Sequence, residues 1–456
     1  MHAIVLGAGM GGLLAARVLS EHYDRVTVLE RDHLPDEPRA RRGVPQGRHV
    51  HGLLPRGAAL LEEFFPGLRA ELVAAGAVEC AALEQVRFAV AGHRLARTAT
   101  GHVALQASRP HLEHHVRARV AALPGVAIRD GVAALDLSHD PRRGRVTGVL
   151  VRDSEGDRRL DADLVVASMG RGSAVNSWLE RFGYAPPAEE GTPIEIVYTS
   201  AFARLPAGAL AGELSITAGV RTAPPRALAI FAVEGGRHIV TLIGFGGEKP
   251  PVDTAGFASY AAHFAPEDVV DALAGAEYPD PSASFRYRAN LRRRYERLPS
   301  FPDGLLVTGD TLCSFSPVYG QGMTVAAIQM AVLRTVLGGG TRDLARRFYR
   351  AVRPEIDHAW QLTVAADGAM PHVTPEGPVA RAAVAALDPI LVAAERDPRV
   401  AAALFQVIGL VERPSSLLTP ELLARIGAAN AGALLESALR TAGGGITRAL
   451  TARAPT

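Results

Sequence analysis

The sequence predicts an α/β protein, with a Rossmann-like nucleotide-binding domain interrupted by an inserted β-sheet domain and followed by a helical C-terminal region. Three observations carry this reading. MHAIVLGAGMGG opens the chain with a short apolar strand that runs into a glycine-rich turn. From Pro186 to about Pro299 the texture becomes β-rich, with alternating or apolar runs such as IEIVYTSAFARL, RALAIFAVEG and RHIVTLIGFGG. Beyond it, GLLVTGD returns to a strand that delivers a loop, and a long apolar helix follows.

In chain order, Ala3–Leu6 reads as a buried strand, Gly11–Ser20 as a helix and Arg25–Glu30 as a second strand, a compact βαβ unit. Arg56–Ala75 and Pro110–Leu123 carry apolar residues at helical spacing. Val126–Ile128, Val146–Arg152 and Leu164–Ala167 are strand candidates, with the DPRRGR turn between the first two. Gly235-Gly236 joins two apolar runs as a hairpin. Leu305–Val307 and the helix Gly322–Leu337 complete the nucleotide-binding domain, and the chain beyond Thr341 is mostly helical, with breakers at Pro354, Pro371, Pro375, Pro378 and Pro414. The domains expected are therefore 1–185 and 300–340 for the nucleotide-binding domain, 186–299 for the insert and 341–456 for the helical region.

Composition narrows the function classes. Hydrophobic residues make up 48% and charged residues 21%, a globular balance that argues against disorder and fibrous repeats. A net charge of +2, with no basic run interleaved with aromatics, offers no field for nucleic acid or an anionic membrane. Cys80 and Cys313 stand far apart in unrelated contexts, which suits a reducing cytoplasm better than a disulfide framework. The first strand begins at once, without the charged and apolar regions of a signal peptide, and no uninterrupted apolar run approaches the ~20 residues that span a bilayer. A cytoplasmic location without a transmembrane segment is the expectation.

The glycine turn matches G-x-G-x-x-G with Gly7, Gly9 and Gly12, and Gly11 lies inside it. The first glycine permits the tight turn, the second lets the backbone approach a pyrophosphate, and the third allows close packing of helix on strand. Glu30 ends the next strand eighteen positions after Gly12, where an acid that binds ribose belongs, and Arg31 adjoins it. An acid there disfavours a 2′-phosphate. In DGLLVTGDTLCSFSPVYGQGM, a strand delivers Asp310 to a point where its carboxylate can accept a ribityl hydroxyl, or can cap a local turn. The string Pro317 to Met323 then opens a helix whose first N–H groups can meet a second negative centre.

With those motifs in this order around a β-rich insert, the chain resembles the group A flavoprotein monooxygenases, the para-hydroxybenzoate hydroxylase and squalene epoxidase superfamily. RRGVPQGRHVHGLL, SMGRGS, YTSAFARLP and SPVYGQGM look most like bacterial epoxidases of polyene precursors in polyether pathways. The resemblance implies FAD as cofactor, O2 as co-substrate and NAD(P)H as electron donor, directly or through a flavin reductase. It implies transfer of one oxygen atom through a flavin C4a-hydroperoxide to a lipophilic polyketide or isoprenoid substrate, with epoxidation favoured over hydroxylation. Gly7, Gly9 and Gly12 would approach the pyrophosphate, Glu30 the adenosine ribose, Arg109 the phosphate and ribityl chain, and Asp310 the ribityl and pyrophosphate region. Gly320, Gly322 and Met323 would face the flavin ring. Where the family carries an Asp-Gly pair that serves both FAD and NAD(P)H, and the epoxidases a Thr-Gly, this chain has Met169-Gly170, and methionine cannot accept a hydrogen bond as a carboxylate does.

Within RRGVPQGRHVHGLL, His49 and His51 would share a face of an extended segment. They read as a metal pair, as a site of covalent flavin attachment, or as non-covalent contacts. No Cys, Asp or Glu at ligand spacing completes a metal site, and the chemistry needs none. Arg42 and Arg48 can meet phosphate oxygens, while Gly43, Pro45 and Gly47 bend a loop that lets Gln46 and one histidine face the isoalloxazine. That histidine would be the site's tunable proton donor and its candidate catalytic residue. In the insert, Tyr198, Phe202, Phe231 and Phe245 either line an apolar substrate pocket or fill the sheet's core.

Three further chemistries share this fold. Flavin-dependent halogenases use an active-site lysine and a W-x-W-x-I-P signature; here Trp178 and Trp360 stand alone, and Lys249, the only lysine, sits in a Gly/Pro loop. Reduction of isoprenoid double bonds and flavin binding without catalysis stand beside oxygenation as competing readings. The apolar helices from Gly377 to Arg440 read as a cap on the flavin domain, or as a lid with peripheral membrane contact.

Overall fold

The computed structural model describes residues 1–451, with side chains described as far as residue 436. Its centre is a parallel five-stranded sheet in the order Leu305–Val307, Leu164–Ala167, His2–Leu6, Arg25–Leu29 and Val126–Arg129. The inner strands are short apolar runs, as parallel strands buried on both faces must be, while the edge strand Val126–Arg129 leaves Ala127 and Arg129 exposed. Val5, Val28 and Val166 have no exposed surface. Helices Met10–Leu19, Arg109–Ala121 and Gln321–Leu337 surround this sheet, and the first and last of these pack on each other through Leu13, Leu14, Ala327 and Met330 in one core.

The second sheet has eight strands in the order Cys313–Ser314, Ala283–Arg293, Glu189–Ala203, Arg237–Phe245, Arg226–Val233, Ser215–Val220, Val86–Val90 and His93–Arg94. The expected Gly235-Gly236 hairpin is present, with Val233 paired to Arg237. The insert does not build this sheet alone. Val86–Val90 runs parallel to Ser215–Val220 with register Val86 to Ser215, so a segment from the first domain extends it. The DPRRGR turn joins Ala133–Asp140 to Arg145–Asp153 rather than closing on Val126–Arg129.

Local chemistry also redraws the helices. The helix expected over Arg56–Ala75 divides into Pro55–Phe64 and Leu68–Ala74, because Pro66 removes a donor and Gly67 takes φ of 85°. Pro354 does not break its helix, which runs Leu344–Gly368. Pro378 instead sits in the first turn of Gly377–Arg396, where a missing N–H costs nothing.

The C-terminal helices pack against the far end of the large sheet. Leu391, Ala394, Val400 and Leu404 join Ala82, Leu83 and Leu95 in a separate core, and Ala96 N–H donates to the Ala394 carbonyl at 2.8 Å. Among the described residues, Gly377–Arg396 is the one helix long and apolar enough, by length and composition, to cross a membrane. Arg381 and Asp388 interrupt it, and Leu391, Ala393 and Ala394 are buried in the protein. The glycine-rich stretch near the C-terminus lies outside the residues whose side chains are described. Cys80 and Cys313 are buried free thiols.

Candidate functional site

A cavity of about 880 Å³ runs between the two sheets, from Gly9 and Glu30 at one end to Tyr287 and Phe315 at the other. At the first end the glycines are held by contact. A Cβ on Gly12 would lie 1.9 Å from the Gly7 carbonyl oxygen, so helix and strand pack at a distance only glycine allows. Gly7 takes φ of 100°, while Gly9 caps the helix Met10–Leu19, and a Cβ on it would lie 3.9 Å from the Arg41 guanidinium. Glu30 accepts from Ala8 N–H at 2.9 Å, which fixes its carboxylate beside the turn.

The cation serving this end is Arg41. Its guanidinium lies 3.0 Å from Glu30, 3.4 Å from Asp32 and 2.9 Å from Glu113. Arg109 pairs with Glu113 at 3.0 Å from the start of the helix Arg109–Ala121, which Ser108 caps. Arg42 and Arg48, expected at phosphate oxygens, both lie outside the cavity lining. The loop closes on Asp32, whose carboxylate accepts from Gly43 N–H at 2.5 Å, and that closure turns Arg41 inward. Arg31, Gly43 and Gln46 line the cavity.

At the second end, Asp310 faces the cavity and has no hydrogen bond or ion pair among the described residues. Burial pushes its carboxyl above the usual carboxylate range, against the opposing pull of Arg109 and Arg171. Pro317, Gly320, Gly322 and Met323 line the same wall, and Gly320 takes φ of 63° before the helix Gln321–Leu337. The C-terminal helix Leu344–Gly368 braces this loop from behind. Thr363 Oγ1–H donates to Gln321 Oε1 at 2.9 Å, and the Tyr319 hydroxyl donates to the buried Asp367 carboxylate. Asn290 joins both sides, donating to Asp367 while its Oδ1 accepts from Ser316 N–H at 2.6 Å.

The two histidines have different surroundings. His49 is buried against the sheet and does not line the cavity; its Nδ1 lies 2.7 Å from Ser200 Oγ. Ser200 Oγ is 2.6 Å from Thr241 Oγ1, which accepts from Val50 N–H at 3.0 Å. Every hydroxyl hydrogen in this chain finds an acceptor if Thr241 donates to Ser200 and Ser200 to His49 Nδ1, which puts the ring proton of His49 on Nε2. His51 lines the cavity, and its Nδ1 is 2.9 Å from the His49 carbonyl oxygen, which can only accept. Its proton therefore sits on Nδ1. Burial lowers His49 to about 4 and His51 to about 3, with Arg48 and Arg109 respectively adding to the fall. Both rings are neutral at ordinary pH, and the proton donor expected at the cavity wall is instead an acceptor. Among the described residues no group of three His, Cys, Asp or Glu could hold a metal ion.

The aromatic wall differs from expectation. Tyr198 and Phe245 fill a core with Ile194, Ile196 and Ile243; Phe202 carries the Arg237 guanidinium 4.5 Å from its ring; and Phe231 lies behind Gly52. None lines the cavity, which is walled by Phe285, Tyr287 and Phe315. Arg171 lies 5.1 Å from the Tyr287 ring, and the exposed Arg286 and Arg288 line the same margin. The alternation of aromatic and arginine in SFRYRANLRRR is the sequence signal that marks this strand.

A glycine-turned helix start at one end, and at the other a lone carboxylate with a second helix start, define a site for an elongated dinucleotide with a polar linker. The family described as "FAD binding domain" matches residues 1–345, and the chain belongs to this family. It is similar to the protein Rv3254 of Mycobacterium tuberculosis (strain ATCC 25618 / H37Rv), 36% identical over 420 residues that cover 88% of this chain and 87% of that one. Among solved structures, a flavoprotein/dehydrogenase from Cytophaga hutchinsonii aligns with a TM-score of 0.68 and 15% identity, covering 96% of this chain and 100% of that one. The OxyS anhydrotetracycline hydroxylase from Streptomyces rimosus aligns with a TM-score of 0.60 and 20% identity, covering 90% and 76% respectively.

The protein is thus a flavoprotein, on the fold shared by flavin-dependent monooxygenases, and its residues fit FAD. Gly9, which lines the cavity with the Arg41 guanidinium 3.9 Å from its Cβ position, suits a pyrophosphate, and the unpartnered Asp310 suits a ribityl hydroxyl.

Proposed function

We propose that this protein is an FAD-dependent monooxygenase that inserts one oxygen atom from O2 into a carbon–carbon double bond of a lipophilic small molecule. FAD, when bound, supplies activation of O2 with two electrons from NAD(P)H. The observation that carries the reading is the second end of the cavity, which Phe285, Tyr287 and Phe315 line together with the Gly320–Met323 loop and the neutral His51. Aromatic rings there hold an apolar substrate by contact and exclude water, which strengthens every polar interaction inside. The free N–H groups at Gly322 and Met323 open the helix Gln321–Leu337, and its positive end favours negative charge developing at the ring they face. Asp310 and Arg109 orient the linker, Gly7, Gly9 and Gly12 admit the pyrophosphate, and Glu30 with Arg41 receives the adenosine side.

Epoxidation suits this wall better than hydroxylation of a phenol, because an alkene needs contact and position but no charged base. A hydroxylase named for anhydrotetracycline shares the fold, which agrees with a small-molecule substrate. Met169 lines the cavity where the wider family carries an acid and the epoxidases a threonine, and a separate reductase delivering the electrons accords with that replacement. The test is turnover of isoprenoid and polyketide alkenes by FAD-loaded protein with NAD(P)H under isotopically labelled O2. Product carrying one labelled oxygen is expected. Product gaining two hydrogens and no label would replace this reading with alkene reduction, and protein that binds no FAD would remove it.

A further inference from the structure

We infer that His51 is a dedicated hydrogen-bond acceptor for the imide N3–H of the flavin, presented by an imidazole locked in one tautomer. The inference rests on FAD occupying this cavity with its pyrimidine ring at the Gly320–Met323 loop. That edge of the ring shows acceptors at N1, C2=O and C4=O and a single donor at N3–H. Backbone N–H groups at the helix start match the acceptors, so the remaining demand is for a lone pair.

His51 meets that demand by the hydrogen bonding of its other nitrogen. Nδ1–H donates to the His49 carbonyl at 2.9 Å, so Nε2 carries the lone pair, and among the described residues no protein group bonds to it. The ring lines the cavity, and its chain neighbour Gly52 lies against the flavin loop: a Cβ on Gly320 would be 3.4 Å from the Gly52 carbonyl oxygen. The carbonyl that locks His51 belongs to His49, and His49 is held by Ser200, Thr241 and the backbone of Val50. The sheet of the insert thereby fixes which nitrogen of His51 can face the cofactor. A histidine free to protonate could donate as well as accept; this one is restricted to accepting.

The test is an alkaline titration of the oxidised holoenzyme, followed through the absorbance change of the bound flavin as N3–H ionises. An acceptor on N3–H stabilises the protonated form, so ionisation in the wild type is expected above that of free FAD. His51→Phe should lower it by about one pH unit, the equivalent of one hydrogen bond. His51→Gln, whose amide oxygen can accept, should restore most of the shift. An N3 ionisation unchanged in His51→Phe would overturn the inference while leaving FAD binding intact. Where His51→Phe retains no flavin, wild-type protein reconstituted with nitrogen-labelled FAD answers the same question by NMR. A scalar coupling between flavin N3–H and His51 Nε2 supports the assignment, and an N3–H coupled to a different acceptor overturns it. Wild-type protein that takes up no FAD defeats the cofactor reading itself, a result distinct from both.

Discussion

At the nucleotide end of the cavity, Glu30, Asp32, Glu113, Arg41 and Arg109 form a buried network in which each charge has a partner within about 3.4 Å. At the flavin end, His51 through Nε2 and Asp310 through its carboxylate present atoms that no protein group bonds among the described residues, with glycine backbone, aromatic rings and the guanidinium groups of Arg171, Arg286 and Arg288 around them. The first end compensates its own charges before any ligand arrives. The second leaves its polar atoms to be satisfied by what binds there. One end is therefore a structural anchor and the other a chemical surface, and substitutions at the two should fail in different ways.

The largest break belongs to the anchor. Arg41→Ala leaves Glu30 and Glu113 buried with their shared counter-ion gone, which should cost about 3–5 kcal/mol of stability and most of the FAD retention. Arg42→Ala, at a neighbour outside the cavity lining, should stay within about 0.5 kcal/mol. Thermal unfolding and the flavin-to-protein absorbance ratio of the two variants check this. Equal effects would mean that Arg41 is not the cation that organises this end.

That pair also shows what the sequence could and could not disclose. Gly7, Gly9, Gly12 and Glu30 were legible because strand, turn and helix follow one another locally, and Leu164–Ala167 and Leu305–Val307 occur where apolar runs placed them. Arg41 and Arg42 are identical in type, and only the closure of Gly43 onto Asp32 selects between them. The aromatic wall failed for a related reason. Tyr198 pairs directly with Phe285 and packs with Phe245 and Tyr287 on one face of the sheet, and the cavity meets that face at Phe285 and Tyr287. Alternation along one strand gives the face a side chain takes but not which part of that face borders a cavity. Val86–Val90 joins the insert's sheet through a parallel pairing distant in sequence, again invisible to local pattern.

The brace behind the flavin end gives a smaller, pH-dependent break. Burial raises Asp367 from 3.8 to about 7, although the Tyr319 hydroxyl and Asn290 amide both favour its charged form. Because the folded state holds the proton to higher pH than the unfolded chain, the resulting stability is fully present below pH 3.8 and is lost as pH rises toward 7. The slope approaches about 1.4 kcal/mol per pH unit inside that window. Asp367→Asn cannot titrate. Urea unfolding at several pH values should show the wild type losing ground to the variant between pH 3.8 and 7, on top of a constant cost from the altered hydrogen bonds. Parallel profiles would show that Asp367 is ionised throughout, held by Tyr319 and Asn290 despite its burial.

The mildest change tests whether the flavin end depends on backbone shape alone. Gly320 takes φ of 63°, a conformation that costs an L-residue about 1–2 kcal/mol, and a Cβ there would lie 3.4 Å from the Gly52 carbonyl oxygen. Gly320→Ala should therefore lower stability by about 1–2 kcal/mol and leave the Arg41 network, and with it most nucleotide affinity, in place. Its effect should fall on the ring. The loop and the His51–Gly52 segment share that contact, so relaxation moves the helix start and the histidine apart. Bound flavin should then show a shifted absorbance envelope and faster quenching by solvent at nearly unchanged FAD retention. Loss of FAD in proportion to the loss of stability would instead show the two ends unfolding together, and the division between anchor and chemical surface would not hold.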